Sequence, residues 1–287
     1  MSRAFGRPLP RALAHALRDR VTVVAGCVVA FVVVVAVLGP ALTPYSPDEQ
    51  DPVRSYENPS LSHPFGTDQF GRDILTRILY GARISLTIGV GSVAVALVIG
   101  IVLGVLSGFY RSFLDVIIMR AVDVALAFPL IIFSTLIVVV LGPSLFTVIF
   151  AVGMSLVPLF ARLARSIVLS LREQEFVEAA VSLGCSDLRL MRHHVLPHVV
   201  PLLFVQATTA IGLAILNGAA LSFIGIGVQP PTADWGRMVA EFAPLVFVDP
   251  FLSLYPGLAI AITALACNLL GDGLLRAVDA TANRVVV

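Results

Sequence analysis

The sequence predicts an all-helical integral membrane protein with six membrane-spanning helices, and three observations support this prediction. Of the 287 residues, 58% are hydrophobic and 13% are charged, whereas soluble domains average about 45–50% apolar and about 25% charged residues. The mean hydropathy is +0.96. The apolar residues gather in six blocks, each near the length that crosses roughly 30 Å of hydrocarbon. Because a charged side chain in hydrocarbon costs several kcal/mol, this composition is typical of a chain folded in lipid.

A basic segment precedes the first apolar block. Residues 1–20 contain five arginines, and Val21–Leu42 is apolar throughout. This block is longer than the apolar region of a signal peptide, which spans about 7–15 residues, and no A-x-A-like cleavage site follows it. We therefore predict a cytoplasmic tail over 1–20 and an uncleaved first transmembrane helix over 21–43.

A polar, proline-rich segment over 44–83 follows the first span. Its last part, Arg72–Arg83, has apolar residues at helical spacing, which predicts a helix lying in the membrane interface. Thr67, Asp68 and Asp73 are predicted to cap and anchor this helix. The alternative left open is contact with a substrate or its delivery protein through His63, Asp68, Arg72 and Asp73.

The next segment, 84–272, is predicted to form a core with five further spans, followed by a cytoplasmic tail over 273–287. The apolar blocks of this core are Ile84–Tyr110, about Val122–Leu141, Ser144–Phe160, Val199–Phe223 and Phe251–Leu270. Glycines repeat every four residues on one face of the second span, and such a stripe allows close helix packing in lipid. The stripe consists of Gly100, Gly104 and Gly108.

Prolines and one tryptophan mark further positions in this core. Pro129, Pro158 and Pro256 lie inside predicted spans, where each removes a backbone hydrogen bond and permits either a fixed kink or a hinge. Trp235 lies in the outer connection between the fifth and sixth spans. We expect it to anchor that connection at the membrane interface.

The arginines predict the orientation of the chain in the membrane. With the N-terminus in the cytoplasm, the inner segments contain 14 arginines and the outer segments contain five. Basic residues are enriched in cytoplasmic loops. Both termini and the long polar segment Arg162–His198 are therefore predicted to be cytoplasmic.

Several kinds of chemistry are disfavoured by the residue types present. All 19 basic residues are arginine, so a P-loop, which needs a lysine to reach the phosphates, cannot form in this chain. No titratable residue lies near the middle of an apolar block, as an ion-coupled carrier requires. His193, His194 and His198 have no cysteine or carboxylate at a matching spacing, so we predict no metal site. The polar residues within the spans are candidates for a translocation path, and they are Gln206, Asn217 and Asn268.

The segment Glu173–Pro197, which we call the knob, is the strongest candidate for function. Glu173–Leu183 predicts a helix with Phe176, Ala179, Ala180 and Leu183 on roughly one face, and Gly184 is predicted to end it. Ser186 or Asp187 can cap a second short helix that reaches Pro197. Two short helices around a glycine are suited to a groove on a soluble partner.

The knob also carries a family resemblance. Glu178-Ala179-Ala180, Gly184 and Leu196-Pro197 at this spacing resemble the EAA signature of type I ABC importer permeases. His63–Leu86, Ala220–Gly236 and Gly271–Asp279 are similar to segments of the peptide and nickel branch of that family, most of all to its C-type permeases. The resemblance covers nearly the whole chain from the first span. One departure is His198, where this branch often has asparagine.

The resemblance implies a fold, a mechanism and partners. The fold would be that of a type I ABC importer permease, with the EAA coupling helix in a loop over about 168–198. Its partners would be a second permease, two ATPase subunits and an extracytoplasmic substrate-binding protein. This chain would bind no cofactor of its own, because ATP and Mg²⁺ would be held by the ATPases, and it would contact lipid but no nucleic acid. The membrane would be the bacterial inner membrane.

The same resemblance assigns roles to the knob and a class of substrate. Small alanines would let the knob seat closely, Gly184 would set its turn, and Glu178 would form a charge-assisted hydrogen bond with the ATPase. Short peptides are the expected substrates, with nickel chelates or glutathione-like compounds as the alternative. A different class, an ion-coupled secondary transporter, predicts uptake that collapses with the proton gradient. A membrane enzyme or a scaffold would need a polar cluster at one membrane face.

Overall fold

The computed structural model describes residues 16–17 and 19–283, so the predicted tails over 1–20 and 273–287 fall partly outside the described residues. Within this part of the chain the secondary structure is helical, apart from an isolated bridge between Thr67 and Asp73. The α-helices are α1 (Arg20–Leu42), α2 (Ile74–Tyr110), α3 (Phe113–Leu126), α4 (Leu130–Leu141), α5 (Leu145–Arg172), α6 (Glu175–Ser182), α7 (Asp187–Leu190), α8 (Leu196–Phe223), α9 (Trp235–Phe242) and α10 (Pro250–Asn283).

Five continuous helical segments are long and apolar enough to cross a membrane. They are α1, α2, α5, the continuous segment from α7 through α8, and α10. A sixth span is present if the bent pair α3 and α4 is counted as one. The main hydrophobic core lies among α2, α5 and α8, where Phe160, Leu156 and Leu203 are fully buried.

The third predicted span, over about 122–141, is not one straight helix but the end of α3 followed by α4, a bent pair that can count as one span. Helices α3 and α4 meet at a bend of 97°. Pro129 precedes α4 directly, and the ring of a proline disfavours helical geometry at the residue before it. Pro158 and Pro256, by contrast, lie within the continuous helices α5 and α10.

The separate interfacial helix predicted over Arg72–Arg83 is also not present. Helix α2 begins at Ile74 and continues for 37 residues, because no proline or loop interrupts the backbone before the second apolar block. At a rise of about 1.5 Å per residue such a helix exceeds the roughly 30 Å of hydrocarbon. The first turns of α2 are covered by protein rather than by lipid, since Ile74 is 0% and Arg77 1% exposed.

A buried network of charges holds the segment before α2 against the rest of the protein. Asp73 caps α2, and its carboxylate accepts from the backbone N–H and the hydroxyl of Thr76 at 2.7 and 2.6 Å. Arg72 donates to Asp68 at 2.6 Å and lies 3.4 Å from Glu241 on α9. Buried charges are tolerated when they are paired in this way. The network therefore joins the 44–73 segment to α2 and α9.

Trp235 joins the same two helices, α2 and α9. The sequence predicted that it would anchor its connection at the membrane interface, and the structure instead buries it within the protein. Its side chain is 2% exposed, and its indole N–H donates to the carbonyl of Ile78 on α2 at 2.9 Å. A Cβ atom on Gly81 would lie 2.7 Å from the indole ring. The absence of a side chain at Gly81 thus makes room for Trp235.

Asp234 caps α9 and provides a prediction about pH. Its carboxylate accepts from the backbone N–H of Arg237 at 3.1 Å and from the hydroxyl of Ser85 at 3.3 Å. Burial raises the pKa of Asp234 above its usual value, although hydrogen bonds oppose the shift. A raised pKa in the folded state gives stability that is lost as the pH rises through that pKa.

We therefore expect the stability of Asp234→Asn relative to the native protein to increase between pH 4 and pH 8, since asparagine cannot ionise. Thermal melting of the purified protein at several pH values measures this difference. Asp249→Asn, at the other end of the same connection, serves as the control. A difference between Asp234→Asn and the native protein that does not change with pH would contradict the prediction.

The glycine stripe lies where α2 packs on α5. A Cβ atom at Gly100 would lie 2.5 Å from the Cβ of Phe160, and a Cβ atom at Gly104 would lie 2.5 Å from the Cβ of Ala164. A Cβ atom at Gly108 would lie 2.9 Å from the Cβ of Val168. Real Cβ atoms do not approach so closely. The two helices can therefore make this contact only because these positions have no side chains.

Candidate functional site

Within the knob, Glu173–Pro197, the structure contains α6, a glycine turn, α7 and a short π-helical turn that leads into α8. This turn comprises Met191–Val195 and continues directly into Leu196. The second short helix predicted from the sequence therefore does not end at Pro197 but merges with the following span. Pro197 lacks the N–H that an α-helical hydrogen bond would need here, and the π-helical turn lies directly before it. Ser186 precedes α7 without a side-chain capping bond.

Gly184 ends α6 in a left-handed conformation, with φ of +78°. The N–H of Cys185 donates to the carbonyl of Ala180 at 3.1 Å, and the N–H of Gly184 donates to that of Val181 at 2.9 Å. This pair of bonds is the Schellman arrangement, which favours glycine at the left-handed position. A Cβ atom at Gly184 would meet nothing within 4 Å. Only the backbone conformation therefore requires glycine here.

Helix α6 attaches to the body of the protein through one side. Val177 is 3% exposed and belongs to the main core, and Ala180 is partly buried against it. The ring of Phe176 contacts that of His198 edge-on, with centroids 5.6 Å apart. Glu178 and Ala179 are exposed. Two members of the sequence-predicted signature, Glu178 and Ala179, thus face away from the body.

Large apolar side chains surround the glycine turn on the outer side of the knob. Leu183 is 88%, Leu188 73% and Val181 56% exposed. The helical pattern of the sequence places Leu183 on an apolar face, whereas Leu188 and Val181 stand out only by their position near the turn glycine. Contiguous exposed apolar side chains mark surfaces that bind a protein or a membrane. We call these three residues, together with Ala179 and Gly184, the outer face of the knob.

The last two residues of the signature lie where the knob joins α8. Leu196 is partly buried and packs against the main core, while Pro197 is exposed. These two residues therefore fix the position at which the knob enters the span.

The three polar residues proposed for a path occupy different positions. Asn217 is 8% exposed, and its amide donates to Ser134 at 3.0 Å and to Ser155 at 3.4 Å. It thereby connects α8 to α4 and α5. Asn268 is half-buried and packs against Gly212, and Gln206 is half-buried on α8. The role of these residues in a translocation path stays a prediction.

Comparison with protein families gives two matches. Residues 100–284 match the family described as binding-protein-dependent transport system inner membrane component. Residues 8–59 match the N-terminal transmembrane domain of oligopeptide transport permease C.

Among curated proteins, the chain is similar to a dipeptide transport system permease of Alkalihalophilus pseudofirmus, with 41% identity over 95% of this chain and 90% of that protein. It is also similar to a glutathione transport system permease of Pectobacterium atrosepticum, with 41% identity over 92% of this chain and 88% of that protein. Among solved structures, it is similar to the MetNI methionine ABC transporter, with a TM-score of 0.58 and 19% identity over 70% of this chain and 96% of that chain.

Proposed function

Because the chain belongs to the family of binding-protein-dependent transport system inner membrane components, we propose that it is the permease subunit of an ABC importer for short peptides. The all-helical type I ABC importer permease fold expected from the sequence is confirmed. The family consists of transport proteins of the inner membrane rather than catalytic enzymes. The chain is accordingly a multi-pass membrane protein.

The outer face of the knob is the observation that carries the proposed mechanism. A soluble ATPase subunit would bind Leu183 and Leu188, whose exposure of 88% and 73% is costly for a surface that faces water permanently. Glu178 would add a charge-assisted hydrogen bond at the edge of this contact. The knob would face the cytoplasm, in agreement with the arginine distribution. ATP and Mg²⁺ would be bound by the ATPase, and this chain would hold no cofactor.

The complete machine would contain this permease, a second homologous permease, two ATPase subunits and an extracytoplasmic binding protein. ATP binding would bring the ATPases together and displace the knobs, which would open the path to the loaded binding protein. Hydrolysis would return the assembly to its starting state. Nucleotide would thus shift a two-state equilibrium through contacts that differ between the states.

Short peptides are the proposed substrates because the two curated relatives are named as dipeptide and glutathione permeases. Glutathione is itself a tripeptide, so the two names share one chemical class. The test is ATP-driven uptake of a labelled dipeptide into liposomes that contain the complete complex. Uptake that requires a proton gradient and continues without ATP would instead favour an ion-coupled carrier.

The contact with the ATPase gives a direct prediction. We expect Leu183→Asp to reduce the amount of ATPase that co-purifies with the permease by about tenfold, since loss of a hot-spot contact costs about 2 kcal/mol or more and each 1.4 kcal/mol is a factor of ten. The melting temperature of the isolated permease should not change, because the side chain is 88% exposed.

Leu61→Asp is the matched control for this experiment. Leu61 is fully exposed at 105% but lies in the 44–73 segment, which the sequence predicts to be on the other side of the membrane. Equal ATPase recovery with Leu183→Asp and Leu61→Asp would rule out the outer face of the knob as the docking surface.

A further inference from the structure

The end of α5 that leads into the knob is fastened to the turn between α2 and α3. This turn comprises Arg111 and Ser112, between the last residue of α2 and the first of α3. The polar side chains that join the two parts come from both sides. We call them the clamp, and they are Ser107, Arg111, Asp115, Arg165, Arg172 and Glu173.

The centre of the clamp is an ion pair between α3 and α5. Arg165 donates through two nitrogens to the two carboxylate oxygens of Asp115, each at 2.7 Å. The hydroxyl of Ser107 on α2 donates to the same carboxylate. The side chains of Arg165 and Asp115 are only 32% and 16% exposed. A two-point arginine–carboxylate contact of this kind fixes orientation as well as distance.

Two further arginines connect the end of α2 and the end of α5, nearer to the knob. One extends from each side toward the other. Arg111 donates to the carbonyl of Leu169 at 3.3 Å and to the carboxylate of Glu173 at 3.2 Å. Arg172 donates to the carbonyl of Phe109, and its guanidinium lies 5.2 Å from the centre of the Phe109 ring. Both carbonyls belong to the last turn of a helix, where backbone oxygens lack helical partners. Each helix end is thus completed by an arginine from the other.

The clamp acts on helices that are already in close contact. Gly104 and Gly108, on either side of Ser107 of the clamp, bring α2 against α5. The first residue of α6 is Glu175, two positions after Glu173 of the clamp. A displacement of α6 that is passed along the backbone to α5 therefore reaches the clamp first.

We propose that Asp115 and Arg165 are positioning residues that make the knob, the end of α5 and the start of α3 move as one body. This inference rests on the proposed function, in which an ATPase displaces the knob. The ion pair transmits that displacement to α3, and through the bend to α4. Without this ion pair, α6 moves relative to α5 at the junction of the two helices, and α3 stays in place.

A second ion pair between the same helices provides a matched control. Arg162 donates to Asp123 at 2.6 Å, with side chains that are 54% and 44% exposed. This pair uses the same residue types on α5 and α3 but lies farther from the knob along both helices. An exposed pair of this kind contributes little to stability.

The experiment compares Asp115→Ala, Asp123→Ala and the charge exchange Asp115→Arg with Arg165→Asp in the complete complex. We expect Asp115→Ala to lower the number of peptides transported per ATP hydrolysed by about fivefold or more, which is the size of a typical coupling free energy. Asp123→Ala should stay within about twofold of the native complex. The charge exchange should restore much of the lost ratio, because it re-forms an ion pair between the same two positions of α3 and α5.

A second measurement does not depend on transport. Hydrogen exchange of the backbone amides in 175–183 should be faster in Asp115→Ala than in the native complex and unchanged in Asp123→Ala. If the native complex imports peptides and both alanine variants keep the native ratio, the clamp is excluded while the proposed function stands. If the native complex imports no peptide, faster exchange in Asp115→Ala alone still supports the clamp, and equal exchange in all variants excludes it.

Discussion

Replacing Gly184 by valine is expected to lower ATP-driven peptide uptake by about tenfold, because left-handed geometry costs a side chain with a Cβ atom roughly 1–2 kcal/mol and each 1.4 kcal/mol is a factor of ten. Gly184 has a φ of +78° and no atom within 4 Å of its Cβ position. The strain is therefore a property of the backbone alone. We expect the turn to rearrange to relieve this strain, which changes the position of Leu183 relative to Leu188 in the outer face of the knob.

Gly184→Asn is the matched control, since asparagine tolerates the left-handed region far better than a β-branched residue. Its side chain extends farther from the backbone than that of valine, and it would enter the same open space beside Gly184. Uptake into liposomes and the amount of bound ATPase are measured for both variants. If the two variants lose uptake equally, side-chain size at the ATPase contact, rather than backbone geometry, is the reason for glycine at this position.

Replacing Gly104 by leucine is expected to lower the melting temperature of the permease by about 10 °C or to prevent its folding, because overpacking a tight contact costs about 1–3 kcal/mol or more. A Cβ atom at this position would lie 2.5 Å from the Cβ of Ala164 and 3.0 Å from the backbone nitrogen of Arg165. Neither group is the end of a flexible side chain. The whole of α2 must therefore move away from α5.

Gly257→Leu on α10 is the control for this variant. Gly257 is also a glycine within a membrane-spanning helix, but a Cβ atom there would meet nothing within 4 Å. Leucine is a good helix former, whereas glycine is about 0.8–1.0 kcal/mol less favourable than alanine in a helix, so the melting temperature should stay equal or rise. Fluorescence-detected gel filtration after heating gives both values. Equal losses at the two positions would mean that the stripe has no special role in packing α2 against α5.

The sequence predicts the spans well because hydrocarbon imposes a minimum length on an apolar helix. The first predicted block, Val21–Leu42, differs from α1 by one residue at its start. The turn at Gly184 follows from a local rule that needs only one residue type. Features that depend on apolar length or on a single backbone conformation are therefore accessible without a structure.

The features that the sequence does not reveal depend on contacts between distant residues. Pro129 indicates that its span can bend, but nothing in the largely apolar run on either side of it gives the size of the 97° bend between α3 and α4. Asp115 and Arg165 are 50 positions apart, and their pairing depends on how α3 packs on α5. The charges at the ends of the spans indicated a membrane boundary, but they did not indicate which charge meets which.

The charge network before α2 has a consequence for the order in which the protein is made. Arg72 and Glu241 are separated by 169 positions, and domains form as the chain emerges from the ribosome at about 5–20 residues per second. Until α9 has been synthesised, the ion pairs of Arg72 and Arg77 in the described part of the chain are both with Asp68. The ion pairs at the start of α2 are thus completed only after five of the long helices or helix pairs have been translated. This set of contacts therefore forms late in synthesis, when α10 is the only described α-helix still to be translated.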